Sequence, residues 1–150
     1  MTLAVGNDHK LYYNSGTPSS PTWTSICIVG NVNLNLTANT AEVDLRCTNW
    51  LMNLASKLTG DLSMTLAAHV GNATWTVLRA AFFARTVLQM AIANANIATP
   101  TTEYFKAYMF FSAFPWNQPT QELSDGEATM ALAYVEETNQ VVSPTWNVVA

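Results

Sequence analysis

At 150 residues the chain suits one domain with a proper core, since folding at that length removes about 70% of the unfolded surface from water. Charged residues make up only 11%, ten acids against six bases for a formal net charge of −4, while 49% are apolar and Thr, Asn and Ser supply 42 residues. That balance excludes a disordered chain and a clamp on a phosphate backbone, which needs clustered Lys and Arg; no apolar run reaches the ~18 residues of a membrane-spanning helix, and the N-terminus shows no export signal. The polar share comes from hydroxyls and amides rather than Lys and Glu, which leans toward a component whose surface is covered by assembly partners.

In chain order, residues 10–14 predict a short strand, 15–21 (Ser-Gly-Thr-Pro-Ser-Ser-Pro) a loop, and 22–29 a hairpin partner. Gly30-Asn31 predicts a break. Val32, Leu34 and Leu36 alternate with Asn33, Asn35 and Thr37, the period of a strand with one face in a core and one in a polar setting. Residues 38–41 predict a turn. A second half-buried strand follows, with Val43, Leu45 and Cys47 alternating against Asp44, Arg46 and Thr48.

Residues 49–57 sit where a loop is expected, yet carry Trp50, Leu51, Met52 and Leu54. Two readings stand: a one-turn helix docked on the core, or an apolar projection that packs on another subunit. A strand is expected from Leu62 to His69, between Gly60-Asp61 and Gly71-Asn72. Residues 73–85 then predict a helix, with Trp75, Leu78, Ala81 and Phe82 on one stripe and Asn72 or Thr74 as its cap. Arg79 and Arg85 suit its C-terminal half. A strand over 87–93, a loop over 94–103 and an aromatic-rich buried strand over 104–114 follow. Residues 115–125 hold two prolines and are irregular. For 127–137, Ser124-x-x-Glu127 imitates a helix capping box, whereas Ala128, Met130, Leu132 and Tyr134 alternate as in a strand. The last segment is extended. The sum is a mainly β domain spanning 1–150, a sandwich or barrel of about seven to eight strands with one flanking α-helix and extended ends.

Reactive chemistry is sparse. Cys27 and Cys47 lie 20 positions apart, and the default is two reduced, half-buried thiols, with a disulfide open if their strands pair. With His9 and His69 they lack the close-spaced ligand pairs of a zinc site. Phosphate loops, nucleophile elbows and Cys-x-x-Cys pairs are missing from the sequence. The Glu136-Glu137 and Glu122/Asp125/Glu127 groups suit a solvated rim. No catalytic residue, metal or cofactor is expected.

Several pieces occur in a telling order: Gly6-Asn-Asp-His-Lys-Leu-Tyr-Tyr-Asn-Ser-Gly-Thr17, Pro21-Thr-Trp23, Val32-Asn-Leu-Asn-Leu36, Arg46 before the Trp50 loop, Leu58, and the strand led by Asp61. The helix with Ala81-Phe82-Phe83, the Val87–Ala93 strand, and Phe114-Pro-Trp-Asn-Gln-Pro119 with Glu122 complete the series. In that order and spacing the chain resembles the major tail tube proteins of long-tailed, siphovirus-type bacteriophages, with a Trp50–Leu54 loop more apolar than the family pattern. The resemblance implies a β-sandwich with a flanking helix, and favours strand over helix for 127–137. It implies subunits that close into hexameric rings and stack into a hollow virion tail, assembled in the host cytoplasm. Genome DNA would pass through without specific binding. The implied partners are other copies, a tape-measure protein and tail tip or terminator proteins, with no membrane. Under it, Trp50, Leu51, Met52 and Leu54 are expected at contacts between rings. Glu42 and Asp44, on a polar strand face, are expected at the lumen, where Lys or Arg would hold the polyanion. The alternatives are a type VI secretion-like tube and a virion decoration module that binds through Trp23, Trp116 and Trp146.

Overall fold

The structure, a computed structural model, describes residues 10–44, 46–47, 49–67, 71–114 and 125–150. The expectations resting on His9, His69, Trp116, Glu122 and Ser124 lie outside them. Ten strands and one helix follow in order: β1 (Lys10–Asn14), β2 (Trp23–Ser25), β3 (Val29–Val43), β4 (Met52–Ala67), α1 (Ala73–Ala84), β5 (Leu88–Ala93), β6 (Glu103–Ala113), β7 (Asp125–Leu132), β8 (Glu136–Glu137), β9 (Gln140–Val141) and β10 (Thr145–Val148). The main sheet runs β2-β1-β5-β6-β7-β4-β3 and every pairing in it is antiparallel. It is the mainly β fold with one flanking helix that the alternation and the resemblance imply.

Period-two alternation builds the core. Met90, Met109, Met130, Leu62 and Ala128 project from neighbouring strands to one face and are fully buried. Helix α1 lays Trp75, Leu78 and Ala81 on that face. The Asn72 side chain caps the helix, accepting the N–H groups of Thr74 at 2.9 Å and Trp75 at 3.2 Å. The chain leaves the helix through Arg85, held at φ 55°, a left-handed C-terminal stop. A smaller cluster of Tyr12, Ala91 and Ala93 with Trp23, Ile97 and Tyr104 covers the opposite face of β1 and β5.

Strands β7 and β10 share one edge of β6. Strand β7 pairs with Met109–Ala113 and β10 with Glu103–Lys106. Between them the chain leaves the edge as the β8–β9 hairpin, whose turn residues Thr138 and Asn139 both have positive φ, 53° and 62°. That is the turn geometry matching strand twist. Residues 127–137 therefore run as strand and hairpin, with no helix.

Several local expectations are corrected. Residues 38–41 do not turn: β3 continues to Val43, because β4 pairs with it along the whole length and the Ala-Asn-Thr-Ala stretch holds no Gly or Pro to stop it. Of the strand expected over 43–48, Val43 ends β3 and Arg46 and Cys47 lie in a turn, while Leu45 and Thr48 lie outside the described residues. Gly30-Asn31 stays within β3 and appears as a register shift between Val29 and Val32, a bulge rather than a break. Cys27 and Cys47 are both free and exposed, not half-buried, since each lies in a turn outside the strands.

Candidate self-association surfaces

Strand β4 pairs with β7 only from Asp61 to Ala67, but with β3 all the way to Val43 opposite Met52. Residues 36–43 and 52–59 thus form a two-stranded arm that extends past the sheet with no third strand among the described residues. The one-turn helix does not form; residues 52–57 are strand. The arm is apolar in the open: Trp50 is 78% exposed, Leu58 77%, Leu54 63%, Leu51 60%, Leu36 55% and Met52 44%. Isolated two-stranded ribbons are marginal in water, and apolar surface of this kind is a candidate for contact with another chain. Gly60 sits where the arm leaves the sheet; a Cβ there would meet Leu36 Cδ2 at 2.9 Å.

A bulge sets which face the arm's side chains occupy. Ala38 pairs with Leu58, but Thr40 pairs with Ala55, so one residue of β3 opposes Ser56 and Lys57 together. Beyond it the alternation of β4 turns over. Leu58 stays on the face that continues the core, while Leu54 and Met52 fall on the other, beside Ala41 and Val43. Glu42 faces the opposite way, across from Asn53.

The sheet face turned away from the core is polar over β3, β4 and β7. Its rows read Asn33–Ser63–Thr129, Asn35–Asp61–Ala131 and Thr65–Glu127 across the strands. A shallow polar hollow of about 160 Å³ lies among Asn31, Asn33, Ser63, Thr65 and Glu127. These rows hold two carboxylates and no cation. Glu42 and Asp44 are exposed at the far end of the arm, so the structure does not bring them together with the polar rows.

The β8–β9 hairpin is pinned to the sheet by the Tyr108 hydroxyl, which donates to Glu137; Tyr134 donates to Glu136. Burial, then the Glu137 contact, pushes the Tyr108 phenol up to about 12. Trp146 is 61% exposed with its ring 6.2 Å from Phe105. Trp23 is half-buried, edge-on to Tyr104 at 6.4 Å. Among the described residues no three His, Cys, Asp or Glu side chains converge as metal ligands would, and no helix is long and apolar enough to cross a membrane. Sequence reasoning missed an aromatic pocket at the end of α1. The available signal was Phe83, an apolar residue off the helix's buried stripe.

No protein-family model matches the chain, and no curated protein matches it in sequence. Solved structures match it closely in fold. The SPP1 tail tube superposes with a TM-score of 0.75 at 8% identity, covering 97% of this chain and 80% of that one. The tail of an empty gene transfer agent particle, solved with C6 symmetry, gives 0.72 at 13% identity over 97% and 98%. A chain of the sheath–tube complex of an extracellular contractile injection system, in the extended state, gives 0.61 at 9% identity over 94% and 88%. The chain therefore has the tail tube fold along nearly its whole length, as its resemblance to tail tube proteins implied.

Proposed function

We propose that the chain is a structural tail tube subunit, with no catalytic role, that closes into six-membered rings stacked as a hollow conduit for DNA in a virion tail. The observation that carries the reading is the exposed apolar arm, standing on a fold shared with tube subunits over 97% of the chain. Among the described residues, strands β2 and β3 end the sheet with open edges, which neighbours in a ring would cover. The arm's Trp50, Leu51, Met52 and Leu54 then make the axial contact between rings. Tape-measure and terminator proteins would meet the same end surfaces.

The lumen wall best fits the polar face of β3, β4 and β7. Each Lys or Arg on a phosphate adds affinity and hence friction, and this face offers amides, hydroxyls, Asp61 and Glu127 instead. Glu42 faces the other side of the arm and so does not continue this lining, and Asp44 sits beyond it at the arm's end. The decoration reading is weaker because Trp23 is half-buried against Tyr104 rather than displayed. A type VI secretion-like tube shares this broad architecture, and cargo and genomic setting separate it from a DNA conduit. Negative-stain microscopy of the concentrated protein tests the proposal: rings or hollow rods support it, and monomers at every concentration, with or without a tail initiator complex, overturn it.

A further inference from the structure

Helix α1 spends one stripe, Trp75, Leu78 and Ala81, on the core. Its opposite side is not polar, as a solvated helix face would be. That side carries Val77, Ala80, Phe83 and Ala84, all exposed, with Phe83 at 76%. Residues 73–85 contain Arg79 and Arg85 and no acid, so the outer face of the helix is apolar and cationic. A surface of complementary charge stands on the β8–β9 hairpin. Tyr134 and Val141 are exposed there, Glu136 lies across from Val141, and residues 133–144 contain two acids and no Lys or Arg.

The two surfaces do not meet within one copy. Side chains alternate along β6: Phe105, Ala107, Met109 and Phe111 enter the core on the side of α1, so Tyr108, which holds Glu137, points to the other face of the sheet. Helix and hairpin thus flank β6 on opposite sides. They stand at the same height along the strands. Phe83 shares a pocket with Phe110, Phe111 and Ser112, and the hairpin is anchored at Tyr108, only about 7 Å from Phe110 along β6 at ~3.3 Å per residue. A contact between opposite sides at one height joins copies side by side, and a head-to-tail contact of that kind closes into a ring when its rotation allows. We propose that the β8–β9 hairpin of one copy packs on the outer face of α1 of its neighbour in the same ring. Tyr134 and Val141 cover Val77, Ala80 and Phe83, and the hairpin's two glutamates face Arg79 and Arg85. The proposal rests on the tube reading and adds which surfaces join neighbours around the ring.

Charge reversal tests the contact. In R79E/R85E both surfaces are acidic. In E136R/Q140R, which keeps the Glu137–Tyr108 bond, the hairpin becomes cationic like the helix. Each variant alone should stay below ring size in sedimentation at concentrations where the unaltered protein assembles. An equimolar mixture should regain rings, because each helix then meets a hairpin of opposite charge. Either variant assembling alone as the unaltered protein does, or a mixture of folded partners that stays unassembled, would overturn the contact and leave the tube reading standing. Failure of the unaltered protein to assemble would overturn the tube reading itself. Should either variant misfold, C27S/C47S/A84C/V141C decides. After assembly and treatment with a short bismaleimide, denaturing gels should show a ladder of linked chains that ends at the six-membered ring; single chains alone would contradict the contact.

Discussion

Asn72 and Tyr108 show how single side chains hold this molecule. Asn72 satisfies two N–H groups that the first turn of α1 cannot pair internally. Asn72→Ala should lower unfolding free energy by about 1 kcal/mol in urea titration; no measurable loss would mean the cap is replaceable. Tyr108 keeps its proton because burial and the carboxylate of Glu137 both disfavour the phenolate. Its folded-state pKa, about 12, stands above the ordinary 10.0, so its stabilising contribution is complete below pH 10 and fades as pH rises through about 12. Ultraviolet titration should show Tyr108 among the late-titrating phenols, with Tyr134 also raised by its bond to Glu136, and only the Tyr108 component should shift down in Glu137→Gln; an unmoved titration would remove Glu137 as a cause. The cap was legible in the sequence because Asn precedes a stripe of helical period. The Tyr108–Glu137 bond was not, since the partners lie 29 residues apart and meet only when the β8–β9 excursion folds back.

Among the elements, the arm separates folding from assembly most cleanly. Its apolar side chains are in solvent, so their loss costs the fold little, whereas core truncations such as Met130→Ala cost about 2–5 kcal/mol. Trp50→Asp and Leu54→Asp should leave thermal unfolding nearly unchanged, within about 0.5 kcal/mol, and abolish elongation in light scattering. Unfolding of both variants would show instead that the arm supports the core. The sequence marked Trp50–Leu54 as misplaced apolar surface, yet hid the arm's length. Val43, Leu45 and Cys47 alternate as a strand would, and a local period of two does not say which strand partners which. The bulge opposite Ser56 and Lys57 hid the faces as well, because it inverts the alternation that a sequence reading carries forward.

At the scale of the whole molecule, scarce charge and abundant hydroxyls and amides suit a subunit covered by its neighbours on several sides. The polar wall was legible as alternating Asn and Thr in residues 32–37. Its full extent was not, because the cross-strand rows join residues nearly a hundred positions apart. Replacing both Asp61 and Glu127 with Lys should preserve rods and make them retain DNA in co-sedimentation, with retention falling as salt rises. Rods that ignore DNA equally before and after the change would place that face elsewhere. Stacking of rings through the arm is tested most directly by a cryo-EM map of the assembled protein. The expected map shows rings of six, each arm seated on a subunit of the next ring, with the β3-β4-β7 face on the channel. Arms lying free outside the tube, or a channel lined by another face, would contradict it.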